Sequence, residues 1–314
     1  MSSNKVNVRN FVRAENDRMF NDLARDAGGA GVLKHNREPA ALDRQTVIRM
    51  NRDTLYSFAI VDISAGATLT LPDAGRRYLS AMVINQDHYI NRVFHDPGSY
   101  ELTTTEFGSP FVAVGVRILA DPGDEADVAA VNALQDEVTL TSKSSRPFPM
   151  PDYEAESFTK TRNLLLELAR GMTDFSRAFG SRDEVDQVEH LIGTAAGWGG
   201  LPNTEATYIG VDPGLPIGEY QITVGDVPVD AFWSISVYNA QGFFDPAPKQ
   251  LNSVNSITGI PNADGTITVN FGVSDKDKPN YLSIMEGWNY LVRLYRPRPD
   301  VLDGTFTFPG IEPA

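Results

Sequence analysis

The string Asn85-Gln86-Asp87-His88-Tyr89 is the densest set of residues able to do chemistry in this chain. It follows an apolar run, Tyr78 to Ile84, and polar side chains in a row at a strand end suit the mouth of a site, because they need hydrogen-bond partners there. In extended geometry Asn85, Asp87 and Tyr89 share one face, while Gln86 and His88 share the other. An aspartate can hold a histidine tautomer, and histidine is a general base near neutral pH. His88 and Asp87 are candidate catalytic residues on this reading, and Asn85 and Tyr89 are candidate substrate contacts. The same string also reads as a polar turn with a satisfied histidine.

Three further strings carry polar groups beside apolar ones. In Asn51-Arg52-Asp53-Thr54-Leu55-Tyr56 a charge pair enters a strand that is apolar on both faces. Alternation puts Arg52, Thr54, Tyr56, Phe58 and Ile60 on one face. The pair either fixes register as an ion pair or presents Arg52 and Tyr56 to a pocket, where arginine grips a carboxylate at two points. In Phe232 to Tyr238, Trp233, Ile235 and Val237 form a core face, and Phe232, Ser234, Ser236 and Tyr238 are the set able to line a cavity. Arg293 alternates into Leu291, Arg293 and Tyr295. It reads either as a substrate contact or as the partner of Asp230 or Asp303. Tyr56 and Tyr238 therefore join the candidate catalytic residues, and Arg52 and Arg293 the binding ones. Trp198, Tyr208, Trp233 and Trp288 are aromatics able to stack on a sugar or to cap a core. Trp198 and Tyr208 complete the binding set.

Other chemistries find no motif. The four histidines, His35, His88, His95 and His190, form no His-x-His or His-Glu-x-x-His pair, and there is no cysteine. No metal site and no cofactor are expected. Gly28-Gly29-Ala30-Gly31 follows a helical pattern and not a strand, so it is neither a phosphate loop nor a dinucleotide fingerprint. No Gly-x-Ser-x-Gly elbow occurs. Ser274 to Lys278 lacks the pattern of a calcium loop. The net charge of -14 repels phosphate backbones and anionic lipid, which argues against nucleic-acid and membrane partners. No run of about 18 apolar residues occurs, and the polar start Met1 to Asn7 has no apolar leader core. The expected location is cytoplasmic.

The elements that must position these residues follow from periodicity. Residues 9 to 26 predict a helix with Val12, Asn16, Met19, Phe20 and Leu23 on one stripe, stopped by Gly28-Gly29. Short turn-bounded runs then predict strands at 54–62, 68–71, 78–84, 91–95 and 111–119. The next 75 or so residues read as helices at 127–143, 157–171, 173–179 and 181–196. Strand texture returns at 206–211, 219–224, 231–239, 266–271 and 289–296. The division expected is a helical segment over 1–44, a β domain over 45–122, a helical insert over 123–200 and a β domain over 201–314. The fold class is mainly β with a helical insert (α+β): two antiparallel sandwich or jelly-roll-like domains bridged by helices.

Asn51 to Ser57, with Asp62, Leu71-Pro72-Asp73 and Arg77-Tyr78, resembles the signature of the domain-of-unknown-function family 1254. Val227 to Ser234, Tyr238-Asn239, Asp264-Gly265-Thr266, Asn280-Tyr281-Leu282, Val292 to Pro297 and Leu302-Asp303-Gly304 resemble family 1214 in order and spacing. Many members read Asn-Trp-Leu-Pro where this chain has Asn280-Tyr281-Leu282-Ser283. The resemblance implies two β parts with a helical bridge and no particular activity. Two functions are expected from the residues. One is a cofactor-independent hydrolase, lyase or isomerase using acid–base residues in a small-molecule pocket between the β domains. The other is a non-catalytic protein binding carbohydrate or a partner. A homodimer is expected in either case.

Overall fold

A computed structural model describes residues 3–45, 48–170, 172, 174–246, 251–274 and 277–314. The chain forms two compact units. One comprises residues 1–37, 56–118 and 130–203, the other 38–55, 119–129 and 204–314. The fold is mainly β with helices inserted between the two β-rich stretches.

The first unit opens with α1 (Phe11–Ala27), β1 (Lys34–His35), β2 (Thr54–Asp62), β3 (Ala67–Leu71), β4 (Leu79–Asn85), β5 (Ile90–Phe94) and β6 (Gly98–Leu102). It continues through α2 (Thr104–Phe107), β7 (Phe111–Leu119), α3 (Glu125–Glu137), β8 (Thr139–Ser142), α4 (Ala155–Ala169) and α5 (Gln187–Ala196). Residues 54–55, 119 and 125–129 of these elements are counted with the second unit. Five strands pair in the order β1-β2-β7-β4-β5, and three in the order β6-β3-β8. Every residue of β4 and β7 is buried, which is why both read as mostly apolar runs and not as alternating ones, with Ser80, Asn85 and Arg117 as the buried polar exceptions. Helices α1, α4 and α5 close around Phe11, Ala14, Leu165, Ile192 and Ala195. Gly28, at φ 88°, ends α1 in the left-handed conformation that glycine adopts without steric penalty.

Three helical expectations are corrected here. The helix expected over 127–143 stops at Glu137, and Thr139 to Ser142 pairs with β3 as β8. Alternating Thr-Leu-Thr fits a pleated edge better than a helix turn. Residues 174 and 175 are irregular and 176–178 form a turn, and Thr173 and Gly171 lie outside the described residues. Helix α5 starts at Gln187 and not at Ser181, because Asp186 caps it by accepting from the Val188 and Glu189 N–H groups. Asp275 and Lys276 of the acidic loop also lie outside the described residues.

The second unit is a two-sheet sandwich. Its strands are β9 (Ala206–Val211), β10 (Tyr220–Val224), β11 (Trp233–Tyr238), β12 (Ser253–Asn255), β13 (Ile267–Gly272), β14 (Tyr281–Ser283), β15 (Asn289–Tyr295) and β16 (Glu312–Pro313), with a helical turn α6 (Pro299–Leu302). One sheet runs β12-β11-β15-β9 and the other β14-β13-β10-β16. Only the β13–β14 pairing among these described pairs is parallel. Trp233, Ile235, Val237, Tyr290, Val292 and Leu294 project from the first sheet into one core with Ile222, Val269 and Phe271 of the second. The alternation expected for β11 and β15 therefore holds, and Ser234, Ser236, Tyr238, Leu291, Arg293 and Tyr295 face the other way.

Candidate functional site

The turn between β4 and β5 carries Asn85 to Tyr89, and it is not extended. His88 N–H donates to Asn85 O at 3.0 Å, and the Asn85 Oδ1 accepts from the Asp87 and Tyr89 N–H groups at 2.9 and 3.0 Å. His88 sits at φ 63°, a left-handed conformation uncommon for a side-chain-bearing residue. Its ring is fully buried between Trp198 and His190, with centroids 5.5 Å from each. Tyr89 extends the stack on the far side of His190 at 4.7 Å. Gly199 N–H donates to His88 Nε2 at 3.0 Å, so the proton lies on Nδ1, which donates to Thr194 Oγ1 at 2.8 Å. Thr194 in turn donates to His190 O. Burial, with His190 alongside, holds the His88 pKa well below its usual value. Both nitrogens of His88 are thus engaged by the fold, and the ring stays neutral.

Asp87 turns away from this stack toward solvent. Its Oδ1 accepts from both Nε (3.0 Å) and a terminal nitrogen of Arg13 on α1, in a half-exposed ion pair. Asn16, the next inward residue of α1, donates to Asn85 O and accepts from the Trp198 indole N–H at 2.7 Å. Helix α1 buries Glu15, Asn16 and Asp17 in succession along with Phe11, Ala14 and Phe20. Of the stripe expected from Val12, Asn16, Met19, Phe20 and Leu23, Asn16 and Phe20 are buried, while Val12, Met19 and Leu23 are only partly so. A helix packed on several sides must find partners for the polar residues it buries. Glu15 is satisfied by Arg18 at 2.8 and 2.9 Å.

Asp17 is different. Its Oδ2 accepts from the Tyr153 hydroxyl at 2.8 Å, while its Oδ1 is buried without a well-formed hydrogen bond among the described residues, the Gln86 side chain being the polar group near enough to act on the carboxyl. Burial pushes the Asp17 pKa up, against the opposing pull of Tyr153, Arg13 and Gln86. Burial and the neighbouring carboxyl also push the Tyr153 hydroxyl up. The outcome is a carboxyl and a phenol sharing a hydrogen bond, with a guanidinium close by and one carboxyl oxygen left over. Neither Asp17 nor Tyr153 stood out in the sequence. The available signal was four consecutive polar residues, Glu15 to Arg18, inside an otherwise amphipathic helix.

In the second unit the two quoted strings meet. Asp53 accepts from Ser234 Oγ at 2.6 Å and from Ser253 Oγ at 2.7 Å. Arg293, buried on β15, donates to Ser236 Oγ (2.8 Å), to the Tyr238 hydroxyl (2.7 Å) and to the Arg49 and Met50 carbonyls. Asp53 lies 3.9 Å from it. Tyr238 donates onward to Met50 O at 2.8 Å. Burial alone would lower the Arg293 pKa, but Tyr238, Tyr295 and Asp53 hold it above its usual value. The expected partners are corrected: Asp230 pairs with Arg298, and Asp303 bonds Thr305. Every donor of this network named here ends on a protein acceptor, the arrangement of a buried lock between segment 38–55 and the sheet.

The remaining predicted residues stand apart from these clusters. Arg52 donates to Ala40 O at 2.7 Å, and burial lowers its pKa. Tyr56 stacks on Phe58 at 5.7 Å and lies under the Arg117 guanidinium at 5.4 Å. Tyr208 stands opposite Arg293 across the β9–β15 pairing and is 42% exposed. Trp233 and Trp288 are buried, and Trp198 spends one face on His88, so the four aromatics form no common platform. Among the described residues no three His, Asp or Glu side chains cluster as a metal site requires, and no helix is long and apolar enough to cross a membrane.

Residues 31–142 match the family model "Protein of unknown function (DUF1254)", and residues 216–299 match "Protein of unknown function (DUF1214)". The chain therefore carries two segments similar to these families, in the order DUF1254 then DUF1214. No curated protein matches it. Among solved structures it is similar to the VPA0106 protein from Vibrio parahaemolyticus, with TM-score 0.73 and 18% identity over 98% of this chain and 97% of that one. It is also similar to an uncharacterised protein from Burkholderia cenocepacia, with TM-score 0.55 and 14% identity over 96% of this chain and 86% of that one. At such identities the likeness is one of fold. The DUF1254 match includes Asp53 and the 85–89 turn, and the DUF1214 match includes Ser234, Ser236, Tyr238 and Arg293.

Proposed function

We propose that the first unit holds a small-molecule site centred on Asp17, where a proton is moved on an oxygenated organic substrate without a cofactor. The observation that carries this reading is the unpaired, buried Oδ1 of a carboxyl whose pKa burial has raised. A polar atom kept unsatisfied lowers stability, and perturbed carboxyls of this kind concentrate where protons are transferred. Asp17 would give or take the proton. Tyr153 would hold it in place through the 2.8 Å bond to Oδ2. The Arg13–Asp87 pair at the half-exposed side would meet the substrate's polar end. His88 then becomes a positioning residue, fixing the turn that carries Gln86 and Asp87. Hydrolysis, elimination and isomerisation all suit a carboxyl–phenol pair.

The test is a ligand screen by thermal shift and saturation-transfer NMR against small hydroxy acids, sugars, ketones and amides. Hits on the unaltered protein that vanish in Asp17→Asn, while the melting temperature holds, support the site. No hits, or hits untouched by Asp17→Asn and Arg13→Ala, overturn it.

A further inference from the structure

The sandwich of the second unit is closed along one edge and open along the other. At the closed edge the bridge between Leu251 and Leu282 joins the two sheets. At the other edge stand β9 and β16, and there a half-open groove of about 450 Å³ enters the core. Its walls are Ile209, Val211 and Leu215 on one side and Phe308 and Ile311 on the other, with Tyr290 in the floor. That volume falls within the roughly 300–1,000 Å³ of sites for drug-sized ligands, which are mostly apolar with a few placed polar groups.

The polar group here is Tyr290. It is 3% exposed and lines the groove, and its hydroxyl is not among the described side-chain atoms that are buried without a partner, so it is open to whatever fills the groove. Burial is the whole cause of its raised pKa, so it stays a phenol and offers a donor. A phenol donor at the inner end of an apolar groove suits a ligand that is mostly apolar and brings one acceptor.

We propose that this groove binds a hydrocarbon-rich molecule bearing one carbonyl oxygen, which accepts from the Tyr290 hydroxyl. The apolar walls would hold the chain or ring, and the carbonyl would set its depth. This site lies in the second unit and is independent of the one centred on Asp17.

The experiment uses the full chain and the neutral fluorophore N-phenyl-1-naphthylamine, displaced by 2-undecanone or by undecane. The expected result is 1:1 displacement, with the ketone about five- to tenfold tighter than the hydrocarbon, the effect of one neutral hydrogen bond. Tyr290→Phe removes a hydroxyl that no described residue engages, so it should melt as the unaltered protein does and bind the ketone no tighter than the hydrocarbon. Leu215→Trp, at the partly exposed rim, should weaken both ligands at least tenfold. Absence of fluorophore binding overturns the proposal. So does a ketone preference that survives Tyr290→Phe, or displacement unaffected by Leu215→Trp. Loss of fluorophore binding as sedimentation shows the chain dimerising would assign the groove to a second copy and overturn it equally.

Discussion

At the scale of single residues, the chain separates two kinds of buried polar group. Arg293 and Asp53 are satisfied, by four protein acceptors and two serine donors respectively. Removing one member of such a network strands the other as an uncompensated charge. Arg293→Ala is expected to destabilise the second unit by about 3–5 kcal/mol in urea unfolding, and a loss below about 1 kcal/mol would contradict the lock. Asp17 is the opposite case. Because its folded pKa is raised, the folded state binds that proton more tightly than the unfolded chain. Its contribution is present at low pH and is lost as pH rises through the folded value. Asp17→Asn should therefore hold or raise the melting temperature at pH 8, with less benefit at pH 4. A marked loss at pH 8 would mean that the carboxylate is structural.

At the scale of elements, the His88 stack depends on how closely α5 and its flanks approach the β4–β5 turn. Phe179 meets the His88 ring edge-on at 5.9 Å. A Cβ on Gly200 would stand 2.5 Å from the same Phe179 ring, and one on Gly193 would stand 2.7 Å from Ala178 Cβ. The Phe179 ring also lies 3.4 Å from where a Cβ on Gly193 would stand, so a shift away from Gly200 moves it against packed neighbours. Gly200→Ala is expected to cost about 1–3 kcal/mol, the usual range for overpacking, and to change the fluorescence of Trp198. An unchanged melting curve would mean that the ring moves aside freely. By contrast Gly225, which has open space around it, should accept alanine with little effect.

At the scale of the whole molecule, acid is the condition that tests the fold. The lowered pKa of His88 means that the unfolded chain takes up a proton near pH 6.5 that the folded chain refuses. Stability from this group is complete above that value and is lost as pH falls toward the folded pKa, by about 1.4 kcal/mol per pH unit while both forms differ. His35, also lowered by burial, acts in the same direction. Thermal melts from pH 7.5 to 5.5 should show this decline, and His88→Asn should be less stable at pH 7.5 but flatter with pH. Asparagine suits the replacement because it tolerates the left-handed backbone. Parallel slopes for the two proteins would remove His88 from the account.

The sequence by itself determined the β-helix-β order, most strand positions and the division of β11 and β15 into two faces. Those follow from local periodicity, which a strand or helix imposes wherever it sits. It also marked Asp53, Ser234, Tyr238 and Arg293 as belonging to telling strings, though not that these residues bond one another. Only the tertiary structure decided the partners. Asp53 and Ser234 are far apart in the chain, and Tyr153 reaches Asp17 from a segment with no pattern in common with α1. Only the tertiary structure, too, turned His88 from a candidate base into a neutral, fully bonded ring, because a histidine's role depends on what meets its two nitrogens. The groove at Tyr290 was invisible for the same reason: alternation assigns that side chain to the core, and only the open sandwich edge brings a groove to it.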